Sequence, residues 1–148
     1  MYLQVYIFQE RERTMVSMVF RALGVWFLFV PAAILNGVLR DKVLIVVFGQ
    51  ALALPLSGVI LSILVFLITV IFVPYLGGSA AWHFWLIGCI WLILTVAFEF
   101  VFSHFVMGKT WVEIVQVFNV AQGNLMIVVL IATLISPFFA AKLRGLIS

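Results

Sequence analysis

Three long tracts of this chain contain no Asp, Glu, Lys or Arg: between Arg21 and Arg40, between Lys42 and Glu99, and between Glu113 and Lys142. Each can hold at least one helix of the roughly 20 residues that cross a bilayer core of about 30 Å. Such tracts leave little choice of solvent. In a water-soluble domain about a quarter of the residues are charged, whereas this 148-residue chain has 8 basic and 5 acidic residues and is 67% hydrophobic. Inside lipid every backbone polar group must be satisfied within the segment, which selects helices. The expected fold is therefore a single all-α, polytopic integral membrane domain. It has four transmembrane helices and one or two short interfacial helices.

Local signals divide the chain. Residues 1–13, MYLQVYIFQERER, read as an interfacial lead-in. A first span over about 14–39 carries Arg21 near its start, where a long side chain can snorkel to the headgroups. Pro31 is expected to kink it, and Asn36-Gly37 marks its exit. The following hydrophobic run is too long for one span, and Gly49, Gln50 and Pro55 suggest a break. That gives an interfacial or tilted helix over 43–54, then a second span over 56–73. On this second span Gly58, Ser62, Val65 and Thr69 form a packing stripe. Pro74, Gly77, Gly78 and Ser79 make a turn, after which Trp82, His83 and Trp85 anchor a third span over 83–106. Thr110 and Glu113, three residues apart, form a capping box that opens a helix over 111–122. Twelve residues rise about 18 Å, too little to cross the core, so this helix should lie in the interface or re-enter from it. A last span covers 125–141, with Lys142 and Arg144 as anchors. The run over 14–39 exceeds the roughly 7 to 15 apolar residues of a secretory signal.

The residue with the sharpest meaning is Glu99, an acid inside the third span. Intramembrane acids are costly and usually face a bundle interior, a partner or a water-filled cavity. Gly88, Thr95, Glu99 and Ser103 recur at seven, four and four residues, so the acid shares a stripe with the other small or polar groups of its helix. It lies about five residues from the helix end, roughly 8 Å deep at 1.5 Å per residue. Asn36, Arg40, Lys42, Glu99, His104, Lys109, Glu113 and Asn119 all fall on the same membrane face. The intramembrane polar site is accordingly placed at Glu99, Arg40, Asn36, Ser103 and Thr95. His104, Lys109, Glu113 and Asn119 form its interfacial rim. Glu99 is expected to be held by Arg40 or Asn36, tying the first span to the third.

Several chemistries are excluded. The basic residues are scattered at helix ends rather than gathered in a nucleic-acid-binding stripe. Cys89 is the only cysteine, so there is no intrachain disulfide and no cysteine cluster for a metal. His83 and His104 lie at opposite faces, which leaves no metal site. Gly108-Lys109-Thr110 lacks the earlier glycine of a phosphate-binding loop, Ser103 standing in its place. Ser103 and His104 are adjacent on a helix and point about 100° apart, so they build no catalytic triad. No cofactor and no enzyme activity are expected. The expected role is a structural or accessory subunit built on a buried polar tie; the alternative is a small oligomeric channel or a proton- or cation-linked transport unit that uses Glu99. Its partners are the lipid bilayer and either further copies of itself or a larger membrane complex.

The tract AFEFVFSHFVMGKTW, from Ala97 to Trp111, resembles a group of small bacterial four-helix inner-membrane proteins with an FEF, H and GK[ST]W pattern in their second half. The likeness runs from Ala97 onward, about a third of the chain. It implies a bacterial inner membrane and no particular function. Lys and Arg number five on the side of the termini (Arg11, Arg13, Arg21, Lys142, Arg144) and three on the other (Arg40, Lys42, Lys109). The positive-inside rule then predicts cytoplasmic termini.

Overall fold

A computed structural model describes all 148 residues and contains helices and no strands. Four helices are long and apolar enough to cross a membrane: α1 (Tyr2–Phe48), α2 (Gln50–Leu76), α3 (Ala81–Val106) and, last in the chain, α5 (Met126–Leu143). Between α3 and α5 lies the short α4 (Trp111–Gln116). α1 and α3 run antiparallel to α2 and α5, so the termini and the 77–80 turn share one face. The Gly49 turn and the 107–124 segment share the other.

The first helix departs from the sequence expectation. It runs unbroken for 47 residues from Tyr2, about 70 Å at 1.5 Å per residue, and so extends beyond the bilayer core. Residues 1–13 are its first turns, and Asn36-Gly37 does not end it. Asn36 spends its side-chain amide on Ser57 of α2 rather than on its own backbone, and so does not compete with the helix. The chain reverses instead at Gly49, whose φ of +77° suits glycine alone. The expected interfacial helix over 43–54 is thus divided: 43–48 closes α1 and 50–54 opens α2. Pro55 is tolerated because it lies near the start of α2, where few ladder bonds precede it.

The other expected spans match α2, α3 and α5 to within a few residues at most ends; α2, which starts at Gln50 rather than 56, is the exception. The Thr110 box forms as anticipated: the Thr110 N–H donates to Glu113 Oε2 at 2.7 Å and the Glu113 N–H to Thr110 Oγ1 at 3.4 Å. The helix it opens is shorter than 111–122. Asn124 Nδ2 donates to Gln116 O at 3.2 Å and Asn119 Oδ1 accepts from the Ala121 N–H at 3.1 Å. These side chains satisfy the backbone where another helical turn would have done so. Gly123, in the left-handed region, closes the segment.

α5 packs along both α2 and α3, and the small residues on those helices permit it. A Cβ on Gly58 would lie 2.6 Å from Leu125 Cβ, and one on Gly88 would meet the Leu134 carbonyl. The apolar core, including Met18, Ala22, Phe84, Ile87 and Trp91, occupies the half of the bundle nearest the termini. There Trp91 Nε1 donates to Ala22 O at 2.8 Å. Arg21 does not merely snorkel: its Nη1 donates to Tyr75 O at 3.3 Å. Arg144 Nε likewise donates to Val70 O at 3.1 Å, so two cations cover the carbonyls that end α2.

Candidate functional site

Toward the Gly49 face the apolar core gives way to polar groups, and a cavity of about 160 Å³ opens between the helices. Its inner wall is aromatic: Trp26 and Phe29 from α1 and Phe98 from α3, with Trp26 edge-on to Phe98 at 6.0 Å. Trp26 Nε1 donates to Thr95 Oγ1 at 3.0 Å, joining α1 to α3. On the α2 side Asn36 Nδ2 donates to Ser57 Oγ at 2.8 Å and to Ser57 O at 3.1 Å. Asn36 is 5% exposed, and its Oδ1 is buried with no hydrogen-bond partner. Glu99 lies on the wall nearer the mouth, where Ser103 Oγ donates to its Oε1 at 2.9 Å.

Two further clefts meet this cavity. One is an open polar vestibule at the membrane face that includes Lys109, Glu113 and Asn124. The other is a side cleft between α1 and α3, walled by Ala33, Gly37 and Phe98, with Ser103 at its edge. Arg40 and Glu99 are the only residues that line all three. Glu99 therefore stands where an intramembrane cavity, a polar surface and a lateral opening join.

The cavity brings Glu99, Arg40, Asn36 and Thr95 together, but the expected pairing does not form. Arg40 Nε is held by the neighbouring Asp41 Oδ1 at 2.8 Å, the one ion pair in the fold, and Asn36 is committed to Ser57. For Arg40 the adjacent carboxylate costs less side-chain ordering than a reach across to α3. Glu99 is left with a hydroxyl one turn along its own helix. The two cross-helix ties in the cavity wall, Asn36–Ser57 and Trp26–Thr95, avoid the acid altogether.

The rim residues divide. Lys109 and Glu113 border the vestibule. His104 pins the chain as it leaves α3: its Nδ1 donates to Lys109 O at 2.9 Å, and its ring stacks on Trp111 at 4.1 Å. Asn119 turns the backbone after α4 and donates its Nδ2 to Gln116 Oε1 at 3.2 Å; it does not border the vestibule. α1 and α3 each include a π-helical turn on this face, Arg40–Leu44 and Phe102–Val106. Such turns are frequent at functional sites. Sequence reasoning missed Ser57, Trp26, Asp41 and Asn124 as site residues, and treated Gln50 only as part of a chain break. Asp41, adjacent to Arg40, offered the plainest overlooked signal. No three His, Cys, Asp or Glu side chains gather anywhere in the fold.

The Thr110 N–H and then its hydroxyl hold the fully exposed Glu113 carboxyl below its ordinary value of 4.5. A depressed carboxyl stabilises the cap above that value and loses it as pH falls through the lowered one. Hydrogen exchange should therefore show the Thr110 amide protected near neutrality and released only below about pH 4.5. Glu113→Gln should remove that acid dependence, and protection of Thr110 that does not change with pH would contradict the assignment.

Comparison with protein-family models, curated proteins and solved structures finds no match for this chain. Its function has to be argued from the site.

Proposed function

We propose that this chain is a non-enzymatic, multi-pass membrane protein that acts as a small proton- or cation-linked transport unit, with Glu99 as the carboxylate that takes up and releases the cation. One observation carries the reading. Glu99 has no cationic or amide partner, and it lines both the intramembrane cavity and the vestibule that opens at the membrane face. A carboxylate kept only as an interhelical tie would be capped by a basic or amide group. The location that fits is a bacterial inner membrane with cytoplasmic termini, supported by the Lys and Arg asymmetry and by the likeness of the tract after Ala97. In that orientation the vestibule faces away from the cytoplasm. Beneath the cavity lies the apolar core around Met18, Phe84 and Trp91, so passage requires that layer to open, or a second copy to complete a path.

A structural or accessory role is the second reading, favoured by the Asn36–Ser57 and Trp26–Thr95 bonds, which tie α1 to α2 and to α3. Proton and monovalent-cation flux through liposomes containing the purified protein separates the two. Wild-type flux that disappears in an equally folded Glu99→Gln variant is the expected result. No flux in the wild type would leave the structural reading in place.

A further inference from the structure

The hydrogen-bonding capacity of the cavity is unbalanced, and the imbalance points to a ligand. Deep in its walls several donors are already spent. Trp26 Nε1 is given to Thr95, Asn36 Nδ2 to Ser57, the Thr133 hydroxyl to Val129 O at 2.8 Å, and Asn124 Nδ2 to Gln116 O. Acceptors remain. Asn36 Oδ1 is buried without a donor, and Glu99 receives a bond on Oε1 alone. Leaving a buried acceptor unpaired forfeits its hydration, so a ligand that brings N–H donors is favoured over one that brings acceptors. The one guanidinium in the lining, Arg40 at the mouth, is held through Nε by Asp41 and makes no bond to Glu99, whose one partner is the Ser103 hydroxyl.

The rest of the lining fits an apolar body. Trp26, Phe29 and Phe98 present aromatic rings, which also attract cations through their faces. The volume of about 160 Å³ is close to the roughly 150 Å³ of apolar cavities that accept benzene. The side cleft between α1 and α3 passes Ile34 and Val38, which are 42% and 53% exposed, before it reaches Gly37 and Glu99. An amphiphile already dissolved in the bilayer would therefore enter sideways.

We infer that this cavity binds a small amphiphilic organic ammonium ion, its N–H groups shared by Glu99 and Asn36 and its ring-sized apolar body set against Trp26, Phe29 and Phe98. The inference rests on the reading that Glu99 handles a cation, and it names the class of that cation.

The test uses the full chain in lipid nanodiscs, titrated with 2-phenylethylammonium and followed by calorimetry and tryptophan fluorescence. Saturable binding is expected, weakened about tenfold or more, or about 1.4 kcal/mol, by Glu99→Gln. Gly37→Leu should weaken it similarly by filling space: a Cβ at Gly37 meets nothing within 4 Å, so this variant should fold and leaves the acid in place. The neutral isostere 2-phenylethanol should bind about tenfold less tightly than the ammonium. Absence of saturable binding to the folded wild type, equal binding of the alcohol, or binding indifferent to both substitutions would overturn the inference. Should Glu99-dependent flux of protons or inorganic cations persist without binding of the amine, the ligand class falls while the transport reading stands. Binding of the amine without any flux would do the reverse.

Discussion

Gly88→Ala should separate α3 from α5 and lower the stability of the bundle by about 1 to 3 kcal/mol, toward the upper end. The usual remedy for a small-to-large change is a shift of a flexible side chain, and here none is available. The added Cβ meets the Leu134 carbonyl, and the Leu134 Cα stands only 3.3 Å away, so the obstruction is backbone. Close backbone approach over small residues is how helices associate in lipid, where hydrophobic burial gives no drive for one helix to choose another. Gly24 is the control: a Cβ there meets nothing within 4 Å, and Gly24→Ala should be neutral or stabilising by up to about 1 kcal/mol. Unfolding in mixed detergent, followed by circular dichroism, measures both. Equal stability of the two variants would show that the α3–α5 contact is looser than described.

Ala33→Phe should reduce flux by about tenfold or more, because an apolar plug dries a narrow path, while leaving Glu99 untouched. Ala33 borders both the cavity and the side cleft. A phenyl ring there takes up a space comparable to the cavity itself, about 160 Å³. The variant separates a requirement for space from a requirement for charge. If Glu99→Gln abolishes flux and Ala33→Phe does not, the acid acts somewhere other than this cavity.

The spans were legible because length and the absence of charge constrain helices in lipid very strongly, and the capping box at Thr110 was legible because its two bonds lie within four residues. The exit of α1 was not. Asn36-Gly37 has the local chemistry of a stop, but Ser57 of α2 engages the Asn36 side chain, and that contact cannot be seen from one strand of sequence. The site shows the same division. Helical spacing put Thr95, Glu99 and Ser103 on one stripe, and the Ser103 bond to Glu99 follows from that spacing. The choice of Asp41 over Glu99 by Arg40, and the parting of α1 from α3 that makes the cavity, depend on how four helices pack together. The sequence pattern marks the members of the site without stating their pairings.

If Glu99 acts in transport, the cavity it borders is wetted from the face that bears the 107–124 segment. The most direct test is the reactivity of a thiol placed in the cavity wall. Cys89 is the only cysteine, so Cys89→Ala combined with Ala33→Cys leaves one thiol, to be challenged with a small membrane-impermeant methanethiosulfonate from either side of oriented vesicles. Modification is expected from the face of the 107–124 segment, and protection from the face of the termini. A thiol that is unreactive from both faces in the folded protein, yet fully modified after denaturation, would contradict the transport reading.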